Sequence, residues 1–219
     1  MALELVAEDA VAKWRALIGP TDCVVARREA PNSLRALYAT DKTHNACHGS
    51  DSDENAAIES SFFFGKTQEI PTTATFTNCS LAIMLPHILS DRLALGNIIL
   101  DIQRAGLDIT ALELFCISKA DASDFLEVYR GVVSDFQKMV LNLSGGPIIA
   151  MEISSPEDDV VTKLRNVCGP SDPELARVLR PNTIRAKYGI DKIRNAVHCT
   201  DLEDDGVLEV QFFFNLLQQ

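Results

Sequence analysis

Two histidines in this 219-residue chain sit in matching tetrapeptides, Asn45-Ala46-Cys47-His48 and Asn195-Ala196-Val197-His198, and each keeps the same polar company. A hydroxyl follows two residues downstream (Ser50, Thr200), then an Asp (Asp51, Asp201), and eleven residues downstream stands a Glu (Glu59, Glu209). A neutral imidazole attacks phosphorus well when a carboxylate holds its second ring nitrogen, because the carboxylate fixes the tautomer and stabilises the developing positive charge. Glu59 and Glu209 suit that task, which makes His48 and His198 candidate nucleophiles. Arg15 with Arg35, and Arg165 with Arg185, add bidentate donors that stay charged at physiological pH, as polyphosphate recognition requires. Their recurrence at one offset favours phosphate recognition over a solvated surface role.

The chemistry is duplicated because the chain is. A shift of 150 residues superposes Arg15 on Arg165, Gly19-Pro20 on Gly169-Pro170, Arg35 on Arg185, Glu59 on Glu209 and Phe62-Phe63-Phe64 on Phe212-Phe213-Phe214. Between Glu8 and Phe64 no gap is needed and roughly two-fifths of the pairs are identical, the mark of a repeated supersecondary unit. The first copy is a half-domain. If Ala2-Leu3-Glu4-Leu5 matches Ala150-Met151-Glu152-Ile153, the chain opens in a strand that belongs mid-domain, as a fragment or a chain with a missing N-terminal stretch would.

The elements that must position these residues follow from pattern. Residues 1–64 form the C-terminal half of a first domain, the polar, Thr-rich stretch 65–75 a linker, and 76–219 a second domain. Leu81 to Leu85 and Ile148 to Ile153 read as buried strands, Leu107 to Ser118 as an alternating strand, and Ile193 to His198 as a last strand. Ser90 offers an N-cap to a helix with apolar Leu95, Ile98, Ile99 and Ile102, ended by Gly106. Asp121 to Leu143 breaks into two helical pieces around Gly131. Ser155-Pro156-Glu157-Asp158 reads as a helix start, with Pro at N1 and acids in the first turn, and Leu208 to Leu217 as a closing helix. The order βαββαβ with short loops predicts an α/β (α+β) ferredoxin-like sandwich, one complete copy plus half of another.

Composition narrows the classes. A formal net charge of -11 argues against non-specific nucleic-acid binding through a basic face. Apolar runs such as Leu93 to Leu100 are too short and too interrupted to span a bilayer, so no membrane partner is expected. Six cysteines without C-x-x-C spacing or a secretory signal read as reduced thiols of a cytosolic compartment, used as packing. Phe62 to Phe64 and Phe212 to Phe214 read as packing residues too. The acidic stretch Asp201 to Asp205 lacks the ligand spacing of a calcium loop and reads as a solvated loop, so no protein-held metal is expected.

The constellation resembles the nucleoside diphosphate kinase family. Its signature N-x-x-H-G-[ST]-D is met in full by Asn45 to Asp51, and by Asn195 to Asp201 with Cys199 in place of Gly. Pro181-Asn182-Thr183-Ile184-Arg185 is similar to the family's loop leading to a phosphate arginine, and Gly169-Pro170-Ser171-Asp172-Pro173 to its Gly-x-Thr-x-Pro segment. The resemblance implies that His198 carries the phosphoryl group in a ping-pong exchange, that Arg165, Ser171 and Arg185 bind phosphates, Asn195 the ribose, and that Thr200 and Glu209 support the histidine. His48, Arg15, Thr21, Arg35, Asn45, Ser50 and Glu59 take those roles in the first copy. Mg²⁺ arriving with a bound nucleotide is implied in the same way.

Two family positions depart from that pattern. Met84-Leu85-Pro86-His87 stands where the family has Val-Lys-Pro-Asp, so Leu85 replaces the lysine that contacts the transferring group. Loss of one such contact costs about 3 kcal/mol, on the order of a hundredfold in rate. His87 reads as a surface loop residue. The family's tyrosine falls at Leu126, with Tyr129 one turn away. The tandem layout, with Gly131-Val132-Val133, is similar to the tandem flagellar and ciliary type of the family. That resemblance implies a structural role in the axoneme, inside doublet microtubules, with tubulin, other axonemal microtubule proteins and a microtubule-organising complex as partners, in cilium, flagellum and cytoplasm. The alternative is an active nucleoside diphosphate kinase.

Overall fold

The sheet that carries the site is built from strands whose side chains alternate between two apolar faces. The computed structural model describes residues 1–65, 71–91, 93–157 and 159–218. It divides into two units, Met1–Pro71 and Thr72–Gln219. Residues 66–70 of the expected linker lie outside the described residues.

The first unit is helical among its described residues: α1 (Ala10–Ile18), α2 (Cys23–Glu29), α3 (Leu34–Tyr38) and α4 (Asp53–Phe64). Side-chain caps start three of them, Asp22 accepting from Val24 N, Ser33 from Ala36 N and Ser52 from Asn55 N. Ala2 to Leu5 do not form the strand expected there. A strand is stable only with a pairing partner, and the described residues of this unit offer none.

The second unit runs β1 (Cys79–Met84), α5 (Pro86–Leu89), α6 (Ala94–Arg104), β2 (Asp108–Phe115), α7 (Lys119–Phe125), α8 (Phe136–Leu143), β3 (Ile148–Ser154), α9 (Val160–Cys168), α10 (Pro173–Leu179), α11 (Ile184–Tyr188), β4 (Val197–Cys199) and α12 (Gly206–Phe214). The strands lie in the order β2-β3-β1-β4 with every neighbouring pair antiparallel. This is the ferredoxin-like sandwich that the sequence predicts. The central strands β1 and β3 are buried almost throughout, as strands covered on both faces must be. Ala82 and Met84 join the core formed with α6, α9 and α11. Cys79, Leu81 and Ile83 join the core formed with α7, α8 and α12, where Phe213 and Phe214 are buried.

Several expected boundaries move: β2 stops at Phe115, short of Ser118, and α12 spans Gly206–Phe214, short of Leu217. Helix α9 begins at Val160, behind Asp159 in the left-handed region at φ 83, not at Ser155-Pro156. The reason is local: Asn78 Nδ2 donates to Ser155 O and Glu157 O at 2.8 and 3.0 Å, which holds those carbonyls outside a helix. Asp158 of that expected start lies outside the described residues. Ser90 ends α5 instead of starting α6, and the Asp91 carboxylate accepts from Leu93 N and Ala94 N at the head of α6. The last strand starts at Val197, because Asp191 ties Ile193 and Arg194 into a turn and Ala196 takes φ 79. Where the repeat is helical it is kept closely: α9, α10 and α11 have the bounds of α1, α2 and α3 shifted by 150.

Candidate functional site

In the second unit, alternation along β4 sends Val197 and Cys199 into the core under α6 and α9 and turns His198 to the opposite face. The turn that aims the histidine is strained. Ala196 lies at φ 79, and a left-handed backbone with a Cβ costs on the order of 1 kcal/mol. Leu85 N donates to Ala196 O at 3.0 Å and anchors that turn to the end of β1.

Glu209, on the first turn of α12, reaches back to His198 Nε2 at 3.3 Å. Thr200 Oγ1 donates to Glu209 Oε2 at 2.9 Å and accepts from Leu81 N at 2.9 Å, so the carboxylate is itself oriented. With Nε2 turned to Glu209, Nδ1 carries the lone pair for attack. Burial pulls the His198 pKa down, but the hydrogen bond and charge of Glu209 outweigh it and hold the imidazole above its ordinary value. The Phe125 ring stands edge-on to His198 at 5.2 Å between centroids, and the imidazole is only 15% exposed.

The arginines of this unit are already engaged. Arg165 Nη1 donates to the Asp201 carbonyl at 2.8 Å and pairs with the Asp201 carboxylate. Asp201 also accepts the Tyr129 hydroxyl at 2.5 Å. Burial pushes the Asp201 carboxyl up, but Tyr129 and Arg165 overcome that and hold it below its usual range. Arg185 is 8% exposed. Its Nε donates to Val197 O at 3.1 Å, Nη1 to Gly169 O at 2.8 Å and Nη2 to Cys199 Sγ at 3.5 Å. Arg185 thus staples the carbonyl before His198 to the loop after α9. Asn195 Nδ2 donates to the carbonyl of Ser171, and the Ser171 side chain stands at the surface.

The first unit repeats the core of this arrangement without the sheet. His48 Nε2 lies 3.0 Å from Glu59 Oε2, and Ser50 Oγ donates to the same oxygen at 2.6 Å. The Ser50 hydrogen bond and then His48 hold the Glu59 carboxyl below its usual range. Ala46 repeats the left-handed turn at φ 69. Arg35 donates to Cys47 O through Nε and Nη2 and to Gly19 O at 2.8 Å, as Arg185 does in its own unit, and its Nη1 lies 3.5 Å from Thr21 Oγ1. Trp14 Nε1 donates to the His48 carbonyl at 3.2 Å. Asn45 is half-buried, its carbonyl accepting from Cys47 N. A cavity of about 320 Å³ opens between Arg15, Gly19, Thr21 and Arg35. Asp51 is taken by Asn55 Nδ2 at 2.6 Å, and among the described residues no hydrogen bond holds the Arg15 side chain.

Two residues read otherwise in the sequence change place. His87 is not a surface residue: it lies on α5 with both ring nitrogens shielded from solvent, and burial lowers its pKa. Leu126 is core, 3% exposed, and Tyr129 is the tyrosine that reaches the site. Its only sequence signal is its position one turn beyond Leu126. Leu85 is 5% exposed and packed into the core beneath α7, α8 and α12. The phenylalanines split as well: Phe213 and Phe214 pack as expected, while Phe62, Phe63 and Phe64 are about half exposed. Among the described residues no group of three or more His, Cys, Asp or Glu side chains converges as a metal cage.

A ferredoxin-like sheet with a carboxylate-held histidine at its edge strand, and the same histidine–carboxylate pair in the first unit, define the class: the chain belongs to the nucleoside diphosphate kinase family, which matches residues 1–69 and 78–218. Within it, the chain is 46% identical over 219 residues to nucleoside diphosphate kinase homolog 7 of Rattus norvegicus and 43% identical to that of Mus musculus. These alignments take in 99% of this chain and 55% of each relative, so the chain spans about half their length. The solved nucleoside diphosphate kinase of Aquifex aeolicus is 34% identical with a TM-score of 0.59, over 64% of this chain and 96% of that one.

Proposed function

We propose that this chain is a nucleoside diphosphate kinase-like structural component of the ciliary and flagellar axoneme, seated inside doublet microtubules and weak in catalysis. The observation that carries the weak catalysis is Leu85, buried in apolar core at the position where the family's lysine meets the transferring group. An aliphatic side chain supplies no charge to the transition state, a loss of about 3 kcal/mol or a hundredfold in rate. The engagement of Arg165 by Asp201 and of Arg185 by backbone and Cys199 adds to that loss. The likeness to the tandem homologue 7 type supports the axonemal placement, with tubulin and neighbouring microtubule proteins as partners.

The active kinase is the second reading, and the His198–Glu209–Thr200 chain favours it. There, Nδ1 of His198 attacks the terminal phosphorus of a nucleoside triphosphate and the diphosphate leaves. A second diphosphate then takes the phosphoryl group back from the imidazole. Glu209 stabilises the imidazolium in both steps, and Phe125 limits water. Mg²⁺ would travel with the nucleotide phosphates, which bind it without a protein cage.

Two measurements on the full chain test the proposal. Phosphoryl exchange between ATP and a nucleoside diphosphate is expected at least about a hundredfold below a housekeeping enzyme of the family; comparable turnover refutes the weak-catalysis reading. The labelled chain is expected to rebind salt-stripped doublet microtubules, and failure to rebind refutes the axonemal one.

A further inference from the structure

We propose that Glu152, a buried carboxylate that no step above uses, is a positioning residue: it latches residues 72–78 as a strap, and the strap seats the helix that carries Glu209. Met151 and Ile153 point into the core formed with α6 and α9, so alternation along β3 turns Glu152 to the face shared with α12, where it is 0% exposed. A carboxylate taken out of water needs hydrogen bonds in water's place. Glu152 draws them from the chain entering the unit: Thr75 N and Phe76 N donate to it at 2.8 and 2.7 Å, and Thr110 Oγ1 on β2 at 2.5 Å. Two successive backbone N–H groups that close on one anion form an anion-binding concavity, and here the anion is a side chain of the same unit.

The strap is tied at both ends and strained between them. Thr73 Oγ1 donates to Thr110 O on β2 at 2.6 Å, and Asn78 Nδ2 holds the Ser155 and Glu157 carbonyls. Phe76 and Asn78 lie at φ 56 and 42, a left-handed backbone that residues with a Cβ rarely adopt and that persists only where surrounding contacts over-determine it. Removing the Glu152 carboxylate leaves the strain at Phe76 unopposed. The support of α12 would go with it. Ala74 and Phe76 pack against the core that Val210, Phe213 and Phe214 enter from α12. Gly206, the first residue of α12, lies so close to the Cys79 carbonyl oxygen, one residue beyond the strap, that a Cβ there would collide with it.

Glu209 follows in the same helical turn and reaches His198. Glu152 thus acts on the histidine through the strap and α12 without touching it. The grip of Glu209 on His198 is set in this way whether or not the site turns over nucleotide.

The test uses the full chain with Glu152→Gln, which keeps one acceptor but turns an amide N–H₂ toward donors, and with Thr110→Val, which removes one hydroxyl and leaves the carboxylate in place. Amide hydrogen exchange is followed by mass spectrometry on peptides from the strap and from β1. The His198 imidazole is titrated by NMR, the four histidines being assigned by substitution. With Glu152→Gln, exchange in residues 72–78 is expected to rise about tenfold or more beyond any rise in β1. His198 is expected to titrate at a lower pH than in the parent chain, because the carboxylate that holds it above its ordinary value has moved. Thr110→Val, which removes one donor of several, should shift both readings the same way by less. If Glu152→Gln does not fold, the Thr110→Val shifts decide alone. Strap exchange that rises no more than that of β1 would overturn the latch, since that pattern is general loosening. Faster strap exchange with an unmoved His198 titration would overturn the coupling to the histidine.

Discussion

Asp201 sits where an incoming phosphate must compete for Arg165, and replacing it with Asn isolates that competition. The Asp201→Asn amide oxygen still accepts the Tyr129 hydroxyl, while the charge that pairs with Arg165 is lost. Both partners are close to half exposed, 45% and 50%, so their ion pair contributes only about 0.2 to 1 kcal/mol to folding. For a unit of this size that corresponds to a fall of roughly 1 to 4 °C in melting temperature. Nucleotide binding moves the other way. The phosphate no longer has to break the pair, nor approach a fixed carboxylate, and the two effects together amount to about 1 to 2 kcal/mol, roughly 5- to 30-fold in Kd. Titration calorimetry with ADP at low salt, in an Arg15→Ala background that silences the first unit's cavity, should show the tighter binding, and adding Arg165→Ala should abolish the gain. Unchanged or weaker ADP binding by Asp201→Asn would refute the reasoning, because it would make Asp201 a ligand of the nucleotide and not a competitor.

Other outcomes follow from the same geometry. The His198 pKa is raised in the fold, so the His198–Glu209 pair contributes stability that is fully present below the ordinary imidazole value of 6.5 and is lost as pH rises through the raised one. Glu209→Gln should remove that slope in melting-temperature profiles between these values; an unchanged slope assigns it to another group. Leu85→Lys should recover exchange activity only in part, at a cost of about 1 to 3 kcal/mol in urea unfolding, since the ammonium replaces a core side chain; full recovery without loss of stability contradicts the packing described. Phe213→Ala should destabilise the second unit by about 3 to 5 kcal/mol, while Phe63→Ala, at a half-exposed position, should stay within about 0.5 kcal/mol of the parent chain. Equal effects in calorimetry would refute the contrast.

The readable part of this structure was the part governed by short-range pattern. The eleven-residue spacing of His48 to Glu59 and His198 to Glu209 closed into direct contact in both copies, because the helix that follows the histidine's turn brings its carboxylate back, from the second turn of α4 and the first turn of α12. Leu81 to Leu85 and Ile148 to Ile153 announced buried strands by their composition, and the strands run Cys79–Met84 and Ile148–Ser154. Less visible were interactions decided by geometry between distant segments. Nothing local in Arg165 tells that Asp201 will claim it, and the Asn55 that occupies Asp51 in the first unit is replaced by Asp205 in the second, a single-atom difference in type. The start of α9 was misplaced for a similar reason. Asn78, far upstream, holds the carbonyls that the Ser-Pro-Glu pattern offers to a helix.

In the first unit, the histidine and its carboxylate meet although no strand is present among the described residues. The pair therefore assembles from local chain, and the sheet contributes something else: shelter. His48 is 76% exposed and His198 15%, the latter walled by Phe125. The same two-residue device thus has two durabilities. A phosphoramidate at position 48 is expected to decay with the half-life of phosphohistidine free in water. One at position 198 is expected to last until the Phe125 ring swings away, a difference that time-resolved phosphopeptide mass spectrometry on Phe125→Ala would read directly.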